Sequence, residues 1–557
     1  MKNEIEKFEG VRIISLGGFG QVTGNMFLYE TEKDILVVDC GVSFPSGKML
    51  GVDLTIPDVS YLLAPEKLKK LKGIIISHGH DDHMAALPYI LPKLPKVPVY
   101  GSRWALALVK NKLEEFHQKA WLEEVGQGKR ITLGDFSIEF VEVTHSVPET
   151  LHLIISSPAG IFYHAADFKL DLHPVMGRPS DQKLISEMGK RGILCLLSDC
   201  LNAEREGFTP PEIKLSEVFQ KAITSCQGSF WVTMMSSNIS RIKQAIDVSI
   251  GAGRQVVLVG RSVEKNVELA LRLGYLRFPS SVFLPVRQAE GKPPSSLTFI
   301  VAGSQAQAGS ALERVAGGQH RLKIGKKDKI VFSTDAIPGN ELAIYHMVDD
   351  LCRLGAEVVY ADVLNEVHVS GHGSSGDLRK LIQLIKPEFL LPIGGNYRHM
   401  VAYQKMAIKE GYSEDHVLLP DDGQALRFLK SKQVLFDKKV PVKSVMVDAL
   451  GVGDVGNVVL RDRQVLSEEG IVVVLMIIET NAQTLVKDPE ILTRGFVFVK
   501  TSEALLRQAE IEAKRVFLKT NKGHPHLTRE EVQSALEKFF FEKTGRRPMI
   551  LTQFIEL

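Results

Sequence analysis

The segment His78-Gly79-His80-Asp81-Asp82-His83 follows directly on the apolar run Gly73–Ser77 (GIIIS). The run reads as a buried strand, and the cluster as the loop at its C-terminal end, where open α/β sheets place ligand sites. His78 and His80 are two apart and fall on the same side of an extended segment. Asp82 and His83 can turn to the other side as the helix in MAALPYIL begins. One short loop can thus serve two neighbouring cations. The competing reading is a solvated polar turn with a chance run of histidines, and the density of ligand-type side chains weighs against it.

His145 closes FSIEFVEVTH, and Asp167 follows IFYHAA. Either alone reads as an ordinary strand end; behind the cluster, both become candidate ligands. A carboxylate shared by two divalent ions, with histidines completing each shell, is the arrangement of two-metal hydrolysis, with ions about 3.5–4 Å apart. Imidazole with carboxylate suits zinc or manganese better than calcium or magnesium. Such ions acidify water into a nucleophile at neutral pH. Asp39, at the end of ILVVD, is expected to orient a ligand histidine from behind.

At 557 residues the chain exceeds what one core usually serves, so two to four structural units are expected. Its 44% hydrophobic and 24% charged residues are those of a globular protein. The opening MKNEIEKFEG lacks the apolar segment of a secretory signal. The apolar run Ile471–Ile478 falls far short of the roughly 18 residues of a spanning helix. Five scattered cysteines without a C-x-x-C pair argue against a disulfide framework or a thiolate metal site. A cytoplasmic protein with no membrane partner is the expectation. The net charge of +2 decides nothing about nucleic acid, because a basic groove can sit on a balanced protein.

Up to about residue 200 short β-rich runs (Asp34–Val38, Gly73–Ser77, Phe136–Thr144, Gly160–Ala165) alternate with a few helices, among them Ser102–Phe116 with Ser102 as N-cap. From 213 to 360 the rhythm is helix 239–250, strand Gln255–Val259, helix 263–274, strands Thr298–Val301 and Ile330–Ser333, helix 340–354 and strand Glu357–Ala361. That succession predicts parallel strands with crossover helices, a Rossmann-like unit. Helix Asp377–Ile385 and strand Phe389–Ile393 resume the earlier style, so the middle unit reads as an insertion. The expected boundaries are 1–212 and 363–428 for the divided first domain, 213–362 for the insert, 429–445 for a lysine-rich linker and 446–557 for a small α+β C-terminal domain.

Three weaker signals are set lower. Gly451–Gly456 fits G-x-G-x-x-G but precedes NVVLRDR, which reads as a strand, so a β-turn is expected there. The basic run His320–Lys329 reads as a solvated face, with RNA phosphate as the alternative. Helix 502–517 carries Leu505, Leu506, Ala509, Ala513 and Val516 on one face, for the terminal sheet or for another subunit.

H-x-H-x-D-H with a following His and Asp resembles the metallo-β-lactamase fold. The inserted unit, LLSDCLNAER with Asp199, VHVSGHGS with His368 and His372, and the final domain resemble ribonuclease J of the β-CASP group. GGFGQVTGNM, FPSGKMLGVDLTIPD, SSNISRI, VGRS, IPGNE and GRRPMILT support the resemblance over essentially the whole chain. It implies an αββα sandwich with an inserted Rossmann-like β-CASP domain and a small α+β C-terminal domain. It further implies a 5′-to-3′ exonuclease on 5′-monophosphate RNA, with endonuclease activity, serving RNA maturation and decay as a homodimer or homotetramer. By the same resemblance His78, His80 and His145 hold one ion, Asp167 bridges, and Asp82 and His83 hold the second. Asp199 positions water or a ligand, and His372 acts near the leaving oxygen as general acid or phosphate ligand. Ser237, Asn238, His368, Val369, Ser370, Gly371 and His372 form the pocket for RNA phosphates, where small residues let backbone N–H groups approach an anion.

The sequence departs from the family at PIGGNYR, where Gly394 takes the place of a ligand histidine and Asn396 that of a glutamate. The second ion then keeps only Asp82, His83 and Asp167, so its affinity should fall. Ser240 replaces a histidine, Ser304–Gly309 (SQAQAG) replaces a GSQGEP-like turn, and His399 is placed too far along to substitute for the missing ligand. Two other readings stand beside the nuclease. One is a degenerate paralogue acting as a structural or regulatory subunit beside an active partner. The other is a small-molecule lactonase or thiolesterase, which would need neither the insert nor the SGHGS pocket.

Overall fold

The computed structural model describes residues 9–45, 47, 49–337, 339–449, 451–479, 484–497, 502–520 and 525–557. They form two compact units, one of the residues up to Phe44 with Leu54–Val445, the other of Pro45–Asp53 with Met446–Leu557.

The first unit is built on two facing sheets. One has eight strands in the order Val434–Phe436, Ala425–Phe428, Val11–Gly17, Met26–Glu30, Ile35–Val38, Leu71–Ile75, Pro98–Gly101 and Trp121–Glu124. The other runs Phe389–Ile393, Ile193–Asp199, Gly160–Ala165, Thr150–Ser157, Phe136–Val143 and Arg130–Leu133. Phe27, Tyr29, Leu36, Phe140, Phe162, Leu197 and Phe428 meet in one core between them. Ile193–Asp199 and Phe389–Ile393 are parallel and buried throughout, which is why they read as continuous apolar runs. Helices Ser375–Ile385 and Tyr397–Lys409 cover the second sheet through Leu378, Leu381, Met400 and Tyr403. Helix Arg103–Glu115, capped by Ser102 Oγ accepting from Ala105 N, lies against Pro98–Gly101 and Trp121–Glu124. The result is an αββα sandwich.

The insert is a five-stranded parallel sheet in the order Gln255–Val259, Leu297–Val301, Phe230–Thr233, Lys329–Phe332 and Glu357–Val359. Helices Leu215–Ser225, Ile239–Gly251 and Arg261–Leu273 pack on one face, Ala311–Ala316 and Glu341–Arg353 on the other. The alternation predicted this, but not the central strand Phe230–Thr233.

Two further expectations need correction. Within 429–445, taken as a linker, Val434–Phe436 is an edge strand paired antiparallel with Ala425–Phe428, and Asp437 pairs with Arg12 and Arg427. The lysines that suggested a linker flank this strand rather than occupy it. Asn457–Glu469, read as a strand, is a helix with Gly456 as its N-cap residue. Val458 and Val459 favour a strand by propensity, but no residue of the helix is buried. It is held instead by Arg463 donating to Asp448 and to Leu50 O, and by Arg546 donating to Glu469. The glycine string does open a helix, yet it leaves a two-residue hairpin strand (Val447↔Val452, Asp448↔Gly451) rather than a parallel βαβ crossover.

In the second unit Ile471–Glu479 pairs antiparallel with Glu490–Arg494 and parallel with Met549–Glu556. The apolar face of helix Glu503–Thr520 packs on this sheet, with Leu506, Ala509, Ala513 and Val516 against Val472, Val474 and Met476. Among the described residues no helix is long and apolar enough to cross a membrane.

Candidate metal centre and phosphate pocket

Strands of both sheets end at one edge of the sandwich, and each end delivers a polar side chain. Ile35–Val38 leads to Asp39, Leu71–Ile75 to His78–His83, Phe136–Val143 to His145, Gly160–Ala165 to Asp167, Ile193–Asp199 ends on Asp199, and Phe389–Ile393 leads to Gly394. His80 is the N-cap residue of the short helix Asp81–Met84, whose first turn carries Asp82 and sets the His83 ring 4.0 Å from that of His78. Gly41 lies so close to the Asp82 carbonyl that a Cβ there would collide with it.

Two ligand sets result. In the first, His78 Nε2 lies 3.0 Å from His80 Nδ1, which lies 3.1 Å from His145 Nε2. Asp167 Oδ2 is 3.6 Å from His78 Nε2 and 3.8 Å from His145 Nε2. In the second, His83 Nε2 is 3.3 Å from Asp167 Oδ2 and 3.8 Å from Asp82 Oδ2. Within each set the donor atoms lie within 4.8 Å of one another, and Asp167 belongs to both.

The other nitrogen of every ligand imidazole is engaged. His78 Nδ1 lies 3.0 Å from Ser77 Oγ, and His80 Nε2 3.2 Å from Ser146 Oγ. His145 Nδ1 donates to Gly371 O at 2.7 Å, which leaves its Nε2 bare. His83 Nδ1 meets Asp39 Oδ2 at 2.8 Å, the second-layer role expected of Asp39. Asp39 also accepts from Ser77 N and Ser77 Oγ, so this fully buried carboxylate is well satisfied. Burial holds His78 and His145 well below the usual imidazole range and brings His80 down to about 3, so all three stay neutral lone-pair donors. Burial, and behind it the charge of Asp167, pushes Asp82 up to about 6 although His83 pulls the other way. Imidazoles held from behind, with their other nitrogens converging on crowded carboxylates, fit divalent cations.

Asp167 belongs to a third set with Asp199 and His372. His372 Nδ1 lies 2.7 Å from Asp199 Oδ2, and its Nε2 is 3.9 Å from Asp167 Oδ2. Burial opposes a charge on His372, but Asp199 and Asp167 outweigh it and hold the imidazole up to about 9.

The strand-like stretch His368–His372 joins this centre through Gly371 on His145 and through His372. Ser370 Oγ accepts from Asn202 Nδ2 and from His372 N. Val369 is buried, and its carbonyl accepts from Arg241 Nη2 at 2.7 Å. Asn238 is further off: its Oδ1 caps helix Ile239–Gly251, and its Nδ2 faces Glu212. Half-buried Ser237 precedes it.

"Ribonuclease J, beta-CASP domain" matches residues 227–351 and "Ribonuclease J C-terminal domain" residues 458–557. "Metallo-beta-lactamase superfamily" matches 19–188, and "Zn-dependent metallo-hydrolase RNA specificity domain" matches 358–420. "Ribonuclease J2" of Bacillus subtilis is 37% identical over 555 residues, 99% of each chain. The chain belongs to the ribonuclease J family. "Ribonuclease J 1" of Streptococcus pyogenes is 33% identical over 557 residues, covering 99% of this chain and 98% of that one. A solved Enterococcus faecalis protein of unknown function shares the fold at 15% identity and TM-score 0.54, covering 75% of this chain and all of that one. Membership makes this chain a metal-dependent ribonuclease of the metallo-hydrolase fold.

Against the ribonuclease J pattern, Gly394 has φ +64°, and a Cβ there would meet only Asp167 Oδ1, at 3.6 Å. A side chain at 394 would therefore reach the second ligand set. His399 does not replace it: its Nδ1 accepts from Asn396 N at the start of helix Tyr397–Lys409, and its Nε2 is 3.6 Å from Glu204. Reading the sequence did not single out Ser77, Ser146, Lys169, Glu212 or Arg241. Of these only Arg241 had a usable signal, three residues after the N-cap Asn238.

Replacing Asp39 with alanine frees His83 to rotate and to take the other tautomer. Zinc or manganese affinity should then fall about 10–100-fold, read by competition with a chromogenic chelator. Unchanged affinity would contradict the orienting role.

Proposed function

We propose that this chain hydrolyses RNA phosphodiester bonds with two divalent ions, zinc or manganese, working 5′-to-3′ from 5′-monophosphate ends and also cleaving internally, in cytoplasmic RNA maturation and decay. The observation that carries the reading is Asp167, whose carboxylate serves two imidazole-rich ligand sets and faces the His372–Asp199 pair. When bound, the ions acidify water and draw off charge developing on phosphoryl oxygens. His78, His80, His145 and Asp167 would hold the first ion, Asp82, His83 and Asp167 a weaker second. Asp199 orients His372 through Nδ1, and His372 Nε2 presents a proton to the leaving oxygen. Ser237, Asn238 and His368–His372 receive RNA phosphates, fixing the 5′ end at a set distance from the centre.

A homodimer or homotetramer is supported by an apolar sheet face in the second unit, where Leu492, Leu551 and Ile555 are exposed. Gly394 favours a second reading, a subunit of low activity beside a paralogous partner.

The test is one labelled RNA carrying either a 5′-monophosphate or a 5′-triphosphate, incubated with the purified chain and manganese or zinc. The monophosphate form should be shortened from its 5′ end at least ~10-fold faster, the margin expected when a built polar pocket loses its matching group. Equal rates on both ends would remove the end-recognition reading; inertness of the metal-loaded chain would favour the subunit reading.

A further inference from the structure

Arg241 is 2% exposed and spends all five of its donors inside the protein. Nε and Nη2 bind Glu212 Oε1 at 3.0 and 2.9 Å, and Nη2 also donates to Val369 O. Nη1 donates to Ser333 O at 2.7 Å and lies 2.9 Å from His368 Nδ1. Glu212 is anchored in turn by Lys169 Nζ at 3.0 Å and gives its own N–H to Asp171 Oδ2. Lys169 stands two residues after Asp167, and its N–H donates to Thr144 O, next to His145. The arginine thus joins the insert to the loops that carry the metal ligands.

A guanidinium has no acceptor, so His368 Nδ1 facing it must be bare, and the neutral ring must carry its proton on Nε2. Protonating Nδ1 would set N–H against N–H. His372, four residues on, has the opposite arrangement: its Nδ1 faces the Asp199 carboxylate and must be protonated. Beyond His368 Nε2 lies an anionic oxygen, Asp335 Oδ2 at 3.7 Å, itself 3.4 Å from Arg205. The Nε2–H therefore has an anionic oxygen nearby but beyond hydrogen-bond distance.

We propose that Arg241 is a positioning residue for the phosphate pocket, locking His368 as a neutral imidazole whose Nε2–H is a fixed donor to the 5′-terminal phosphate. This rests on the reading of His368 as a phosphate-pocket residue. The two histidines of the SGHGS region then have separate tasks, set by opposite partners.

The test uses full-length, zinc-loaded protein labelled with 15N-histidine, the His368 signals being assigned by their loss in His368→Gln. Between pH 6 and 8, Nδ1 should appear unprotonated and Nε2 protonated, and adding AMP should shift Nε2 in preference to Nδ1. Arg241→Met should give a mixture of tautomers. It should also raise KM for 5′-monophosphate RNA relative to that for 5′-hydroxyl RNA by the reciprocal of the fraction left as Nε2–H, roughly 2–5-fold. Arg241→Lys should recover part of the difference. A protonated Nδ1 in the wild type, or an equal loss on both RNAs, would overturn the proposal. If Arg241→Met does not fold, the wild-type spectrum still decides. If the wild type hydrolyses neither RNA, the function proposed above fails while the tautomer is read independently.

Discussion

Asp167→Asn is expected to remove hydrolysis and metal together. The carboxylate Oδ2 stands 3.3–3.9 Å from donor nitrogens of His83, His78, His145 and His372, so one oxygen serves every part of the centre. Burial opposes its charge, but His83 and His372 outweigh burial and hold Asp167 well below the usual carboxylate range. Asparagine keeps the volume and loses the charge. Neither ligand set then has its shared anion, and His83 and His372 each lose one of their carboxylate partners. Hydrolysis should fall by at least ~10³-fold, since both the activated water and the charge stabilisation depend on the ions. Elemental analysis should find less than one tightly held ion per chain. Full metal content in the variant would show that Asp167 is not the shared ligand.

Gly394→His should work in the opposite direction. The Cα–Cβ direction at 394 points at Asp167 Oδ1, with nothing else within 4 Å, so an imidazole there has room to reach the second ligand set. The backbone at φ +64° costs a β-carbon-bearing residue about 1–3 kcal/mol, which a metal–nitrogen bond can offset. The second ion should bind at least ~10–100-fold more tightly, because even a supporting partner of a ligand is worth that much. Isothermal titration should show one tight and one weak ion in the wild type and two tight ions in the variant, with faster RNA hydrolysis at low metal. Identical titrations for the two proteins would show that position 394 does not feed the second site.

The ligand cluster was legible because its information is local. His78, His80, Asp82 and His83 lie in one loop, and the strand-end positions of His145 and Asp167 follow from the β-rich runs Phe136–Val143 and Gly160–Ala165 that precede them. Asp39 could be foreseen for the same reason. The partners that fix the other imidazoles could not. Ser146 Oγ reaches His80 only after the chain has crossed from one sheet to the other, and Gly371 O reaches His145 only after the whole insert. Glu212 and Arg241 likewise look like surface charges in sequence, and only tertiary packing shows them paired and buried. Asn457–Glu469 showed β-branched residues where exposed polar anchors decide for a helix. Locally encoded chemistry survived the reading; contacts made across the fold did not.

The most direct measurement is hydrolysis of a uniformly labelled RNA by the purified chain alone, at saturating manganese or zinc, beside His80→Ala. His80 Nδ1 is the nitrogen between His78 and His145 in the first ligand set, so its loss should empty that set without touching the phosphate pocket. Degradation by the wild type and an inert His80→Ala is the result this account predicts. Equal rates for the two proteins, or a metal-loaded wild type that leaves the RNA whole, would contradict it.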